Sequence, residues 1–341
     1  MNFSSKIPQN AERRTQNAER SLLSAAKKLA KLLILSPLRF IRYYRHILNT
    51  KCRYKFFDRR KNSRTLIIIL AGYKPFIWND VAERIKLFAP PDADVCIVSS
   101  GMYDEQLAQT AEKNHWSYIS TKRDCVTLAL NIPILLHPKA EFIYKIDEDI
   151  IITKHLFEVL MKTYEQVKTD GLYDAGFVAP LIPVNVYGHL RVLEKLGITA
   201  EYENRFGKTG WLPFQNLPVW KNPDSAKFFW GEDNIVPHID DIAERFYSDK
   251  FEYRACPIRF SVGCILFSRK TWQDIGMFRV PLRGSAMGGE EVQLCCLAMR
   301  DSLAVIVSEN TAAGHLSFGP QNAGMKDYYL HHRDRFALKS E

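Results

Sequence analysis

Between residues 65 and 147 the chain alternates short apolar runs with longer amphipathic stretches. TLIIILAG (65–72), DVCIVSS (94–100), WSYI (116–119) and FIYKID (142–147) are the apolar runs. Residues 80–88, 104–114 and 125–136 lie between them with helical patterning. A short apolar run bounded by turn residues reads as a buried strand. Strands alternating with helices of about a dozen residues build βαβ units and a mainly parallel sheet. This confines the chain to the α/β class. It also places any ligand outside the carboxyl ends of the strands.

The last of these runs continues into YKIDEDIIIT (144–153), where Asp147, Glu148 and Asp149 sit among Ile146, Ile150, Ile151 and Ile152. Residues two apart in an extended chain share a face. Asp147 and Asp149 are therefore expected to point together into the crevice, with Glu148 facing away. Buried carboxylates without partners are costly. A divalent cation, Mn2+ or Mg2+, offsets that cost and brings phosphate oxygens with it. A bare pair of acids also suits a solvated strand end, but the preceding βαβαβ pattern favours the reading of a cation with a diphosphate.

Residues 170–257 are less regular and hold Trp211, Trp220 and Trp230, which suit either sugar stacking or core packing. RFSVGCILFSR (259–269) then reads as a strand, TWQDIGMF (271–278) as a helix and turn, and GGEEVQLCCLAMR (288–300) as an amphipathic helix opened by Glu290 and Glu291. Acids at a helix N-terminus are favoured by electrostatics alone. The same place suits a general base within reach of a substrate hydroxyl. AVIVSE (304–309) is a further strand, followed by the loop GHLSFG (314–319). His315 in that loop is a candidate third metal ligand beside Asp147 and Asp149.

Composition narrows the setting. At 341 residues, 46% hydrophobic and 25% charged, the chain can bury a sizeable core. The net charge of +9 is concentrated in one place. Residues 1–64 carry 17 Lys and Arg against Glu12, Glu19 and Asp58, and the remainder is acidic by five charges, so a nucleic-acid partner is not expected. Within the arm, SLLSAAKKLAKLLILSPLRFIRYYRHIL (21–48) carries an apolar stripe, flanking Lys and Arg, and aromatics beyond Pro37. A basic amphipathic helix of this kind suits an anionic membrane surface, or else covers the body. No convincing signal peptide and no run long enough to span a bilayer is present. The seven scattered cysteines form no CxxC pair and fit a reducing compartment.

The ordered pieces IDED (146–149), VGCILFSRKTWQDIGMF (262–278), GEEVQL (289–294) and His315 resemble the motifs of nucleotide-sugar glycosyltransferases of the GT-A fold, near bacterial family two. The resemblance covers residues 65–320 and implies a GT-A, Rossmann-like sheet flanked by helices. It implies a nucleotide-binding half at 65–153, an acceptor half at 154–320, a basic arm at 1–64 and a tail at 321–341. By the same resemblance Asp149 binds the cation, with His315, and Asp147 supports it or meets the ribose. Ala71, Gly72, Tyr73, Arg123 and Asp124 lie by the nucleotide, a UDP-sugar. Glu291 stands where the family has its catalytic Asp and deprotonates the acceptor, giving inversion, with Glu290 before it. The chain departs from the family with Glu at 291 and Gln at 293, and lacks the usual first-strand opening. The implied role is the transfer of sugar to a glycan or lipid-linked acceptor in bacterial surface polysaccharide synthesis. The implied place is peripheral, on the cytoplasmic face of the membrane. The alternatives are a sugar nucleotidyltransferase and a non-catalytic, membrane-recruited binding module.

Overall fold

The computed structural model describes residues 27, 37, 41, 43–285 and 288–339, apart from the side chains of Phe214 and Leu297. Two compact units divide the chain, Met1–Lys51 and Cys52–Glu341. In the first, residues 43–50 are helical. The apolar stripe expected over 22–33 lies outside the described residues, except for isolated positions.

The second unit begins with β1 (Tyr54–Phe57), β2 (Thr65–Leu70), α1 (Trp78–Phe88), β3 (Asp94–Ser100), α2 (Glu105–Lys113), β4 (Ser117–Thr121), α3 (Val126–Leu136) and β5 (Phe142–Asp147). The apolar runs are strands, and they are buried because the sheet is covered on both faces: Leu66, Ile67, Ile68 and Ile69 expose nothing. β4, β3, β2 and β5 lie side by side and parallel. The chain steps from β2 outward to β3 and β4, then returns to place β5 on the other side of β2. The sheet therefore has its topological switch point between β2 and β5, where a crevice opens beyond the strand ends.

The rest of the unit adds β6 (Ile150–Ile151), α4 (Leu156–Asp170), β7 (Asp174–Leu181), α5 (Ile239–Ser248), β8 (Tyr253–Ala255), β9 (Cys264–Ser268), α6 (Arg269–Asp274), α7 (Gly289–Arg300), β10 (Leu303–Ala312), β11 (Gly314–His315) and α8 (Asn322–His331), with short helices between 188 and 229. The sheet runs β1-β4-β3-β2-β5-β9-β7-β10-β8, and β6 pairs with β11 separately. β9 is antiparallel to both β5 and β7, so β7 and β10 share the direction of the first four. Among the described residues, six of the nine strands thus run one way. The expected mixed, mainly parallel α/β sheet flanked by helices is what forms.

Both expected domain edges move. The body starts at Cys52 rather than at 65, because β1 pairs antiparallel with the free edge of β4. The segment expected as a C-terminal tail packs on the body over residues 321–339. Phe336 is fully buried and meets the Trp230 ring at 4.2 Å. The carbonyls of Phe336 and Ala337 accept hydrogen bonds from Arg84 on α1, which itself is fully buried and paired with Asp240 of α5 at 2.6 Å. Tertiary partners for a buried guanidinium cannot be read from local periodicity.

Candidate active site

β5 delivers the first group of residues. Lys145 and Asp147 are two apart on the strand and share a face, and the Lys145 ammonium sits 2.7 Å from the Asp147 carboxylate. The strand ends there. Residues 148 and 149 form a turn, so the period of two fails at the point where the sequence pattern relied on it. Glu148 does not face away. Its carboxylate accepts from the backbone N–H groups of Gly72, Tyr73 and Lys74 at 2.7, 2.6 and 2.5 Å, which pins the loop after β2. Burial raises the Glu148 pKa to about 7 even against those three donors. Gly72 occupies a backbone region that L side chains rarely adopt (φ +118°), and this lets three successive N–H groups converge on one carboxylate.

Asp149 is 95% buried and meets two cationic or imidazole partners. Lys74 Nζ lies 2.5 Å and His315 Nε2 3.3 Å from the same oxygen, Oδ2. Burial alone would raise its pKa, but His315 and Lys74 outweigh that and hold the carboxyl well below the usual range. His315 arrives through the small sheet: β11 pairs antiparallel with β6, His315 opposite Ile150, and Leu316 N–H donates to the Asp149 carbonyl at 3.0 Å. The glycine before it is required. A Cβ at Gly314 would stand 2.2 Å from the Trp230 ring.

α7 contributes Glu290 and Glu291 to the same cleft. The turn before it is held from two sides. Asn131 bonds the Phe278 backbone through both amide atoms and accepts from the Trp272 indole. Gln293, the residue that departs from the family pattern, accepts from Arg279 N–H and donates to the Met277 carbonyl, both at 2.6 Å. It therefore fixes the helix mouth. Glu290 is buried, and among the described residues its Oε2 has no hydrogen-bond partner. Burial raises its pKa, opposed by Lys145. Burial would lower that of Lys145, but Asp147, Glu290 and Glu291 reverse the direction. The β5 end and the α7 mouth are thus one electrostatic cluster. Glu291 is ion-paired with Arg259.

These groups line one cleft of about 640 Å³, together with Tyr73, Phe76, Ser261, Phe318 and Lys326. A second pocket of about 510 Å³ shares Ser261, Glu291 and Phe318 with it, and adds Asn185, Trp211 and Trp220. Trp211 is half exposed and stacks on Tyr187 at 5.6 Å. Glu291 stands at the junction of the two spaces.

The expected residues are therefore partly reassembled. Tyr73, Asp147, Asp149, Glu290, Glu291 and His315 come together. Ala71 and Gly72 lie in the loop that leads to Tyr73. Arg123 and Asp124 do not line the cleft: Arg123 donates to the Pro281 carbonyl, and Asp124 accepts from Ser100. The three-residue metal set is not formed. Among the described residues no group of three or more His, Cys, Asp and Glu is placed to hold one ion, because Lys145 takes Asp147. Asp149 and His315 remain, and they fit a divalent cation. Two ligands at ~2.1 Å from one ion lie roughly 3 Å apart when at right angles, close to the 3.3 Å found. A cation with few protein ligands keeps its other positions for water and phosphate oxygens. Sequence reading assigned no site role to Lys74, Lys145 and Lys326, and it turned Glu148 away from the crevice that it lines. The spacing of Lys145 from Asp147 was the one available signal.

No family model and no curated protein matches the chain. Comparison with solved structures finds similarity to GalNAc-T7 with UDP, GalNAc and Mn2+, at 12% identity and a TM-score of 0.44, over 81% of this chain and 51% of that one. This chain spans about half of that protein's length. The mannosyltransferase PcManGT from Pyrobaculum calidifontis, in complex with GDP-Man and Mn2+, matches at 14% identity and a TM-score of 0.44, over 93% and 77%. Glucosyl-3-phosphoglycerate synthase from Mycobacterium tuberculosis, in complex with Mn2+, UDP and glucosyl-3-phosphoglycerate, matches at 14% and 0.39, over 81% of each chain.

Proposed function

We propose that the protein is a cation-dependent, inverting glycosyltransferase that moves a sugar from a nucleoside diphosphate to a hydroxyl of a glycan or lipid-linked acceptor. One observation carries this reading. At the switch point of the sheet, Asp149 and His315 converge in a cleft that Glu290 and Glu291 also line. The cleft then opens into a second, tryptophan-lined pocket.

The roles follow from placement. Asp149 and His315 would hold the cation, Mn2+ or Mg2+. When bound, it neutralises charge developing on the leaving diphosphate. Tyr73, on the loop pinned by Glu148, lies toward the nucleotide. Trp211 and Trp220 offer flat faces on which an acceptor ring can stack. Glu291, at the junction, takes the proton of the acceptor hydroxyl. That oxygen then forms the new bond to the anomeric carbon as the bond to the diphosphate breaks, from opposite sides, which inverts the centre. Arg259 fixes the Glu291 side chain.

The nucleotidyltransferase alternative needs backbone N–H donors after β2 for a triphosphate. Three of these, at residues 72–74, are already taken by Glu148. A purely structural binding module has no use for a buried carboxylate oxygen that, like Glu290 Oε2, has no hydrogen-bond partner among the described residues.

The test is hydrolysis of a panel of nucleotide sugars with Mn2+, Mg2+ or EDTA. Slow, cation-dependent release of one nucleoside diphosphate is expected and names the donor, for which a UDP-sugar is our first choice. Release from no donor, with no nucleotide binding, would overturn the reading.

The arm supports a place at the membrane surface, and with it a role in bacterial surface polysaccharide synthesis on lipid-linked acceptors. No described helix is long and apolar enough to cross a membrane. Removing residues 1–50 is expected to abolish co-sedimentation with anionic vesicles, and ~0.5 M salt to weaken it in the full chain through screening. Salt-insensitive binding by the shortened protein would contradict this.

A further inference from the structure

The cation site proposed above is contested by the protein itself. Lys74 Nζ is 2.5 Å from Asp149 Oδ2, the oxygen that His315 also approaches. A divalent ion approaching that oxygen meets the positive charge of the ammonium at close range, so the two oppose each other there. The Lys74 backbone is fixed, since its N–H donates to Glu148. Its side chain is a flexible four-carbon stem that can swing without moving the loop. It leaves Asp149 only if another anion receives it, because an ammonium at a partly buried position needs a counter-charge.

The rest of the cleft shows which anion that is. Five carboxylates line it against three lysines, Lys74, Lys145 and Lys326. Lys145 is committed to Asp147, and Lys326 stands over the Phe76 ring at 5.5 Å. Lys74 and Lys145 are each already paired with an aspartate, so a diphosphate arriving alone meets carboxylates with both of those ammoniums engaged. Lys74 on Asp149 opposes a cation arriving alone. Each ligand removes the other's obstacle: the cation replaces Lys74 at Asp149, and the diphosphate receives the ammonium thus released.

We propose that Lys74 is a displaceable counter-ion that makes cation and nucleoside diphosphate binding mutually dependent, moving from Asp149 to the diphosphate when both arrive. The inference rests on the donor reading above and adds a positioning residue to it. Coupling between two ligands is reciprocal, so each raises the other's affinity by one common factor.

The experiment measures Mn2+ binding by electron paramagnetic resonance, and UDP and GDP binding by calorimetry, on the full chain and on Lys74→Ala and Lys74→Arg. The known affinity of Mn2+ for each free nucleotide is subtracted. In the wild type, saturating nucleotide is expected to tighten Mn2+ by at least ~10-fold. In Lys74→Ala, Mn2+ alone is expected to bind ~10-fold tighter than to the wild type, and the coupling to fall below ~3-fold, the competitor and the diphosphate partner having been lost together. Lys74→Arg, which keeps the charge, is expected to retain the coupling. If Lys74→Ala binds nucleotide with unchanged coupling, and Mn2+ alone no more tightly, the role of Lys74 is overturned and the donor reading stands. If the wild type binds neither UDP nor GDP with Mn2+ present, both fall.

Discussion

Glu291→Gln lowers turnover by at least ~10²-fold while leaving donor affinity nearly unchanged. The magnitude is that of a general base removed from a proton transfer. The amide keeps the shape of the side chain and its place at the junction of the two pockets, but it cannot accept the acceptor's proton. Donor binding is spared because the cation pair, Asp149 and His315, is left unaltered. Steady-state kinetics with the donor named by the hydrolysis panel, beside nucleotide calorimetry, separates the two effects. The neighbouring Glu290 makes the experiment decisive. It is buried, its Oε2 has no hydrogen-bond partner among the described residues, and its pKa is raised, so it is the other group able to serve as a base. Unchanged turnover in Glu291→Gln with loss in Glu290→Gln would transfer the role to it.

Asp149→Ala is expected to remove cation-dependent nucleoside diphosphate release, a fall of about 10²- to 10³-fold, the cost of losing one preorganised electrostatic contact to a developing charge. His315 would remain as the lone protein ligand, and Lys74 would lose the carboxylate that holds it. A thermal melt on the same sample guards against a trivial cause. The Leu316 N–H bond to residue 149 uses the backbone carbonyl and survives the substitution, so the pairing of β6 with β11 should persist. Full turnover with a native melt would make the acids a structural feature and favour the binding module.

Much of the fold was legible because its signals are local. The apolar runs of β2, β3 and β5 and the amphipathic segments between them are visible in windows of a dozen residues. β7 was not, since DAGFVAPL carries both Gly176 and Pro180, which count against a strand. The structure gives the glycine's reason: a Cβ at 176 would come 3.0 Å from Ala298 of α7, so the missing side chain lets the helix bearing Glu290 and Glu291 lie close on the sheet. Trp211 and Trp220 were visible as residues but not as a pocket, because the pocket walls come from five separate stretches of chain.

By itself the sequence determined the α/β class, the acids that end β5, and the pair of acids that opens α7. Periodicity and composition suffice for these, since burial and helix-terminal electrostatics act over neighbouring residues. Tertiary structure alone decided how those acids are used. The turn at 148–149 broke the strand period, sent Glu148 to the loop after β2, left Asp147 to Lys145, and set Asp149 between Lys74 and His315. Partner choice for a buried charge depends on which groups packing brings within a few ångströms, whatever their separation along the chain.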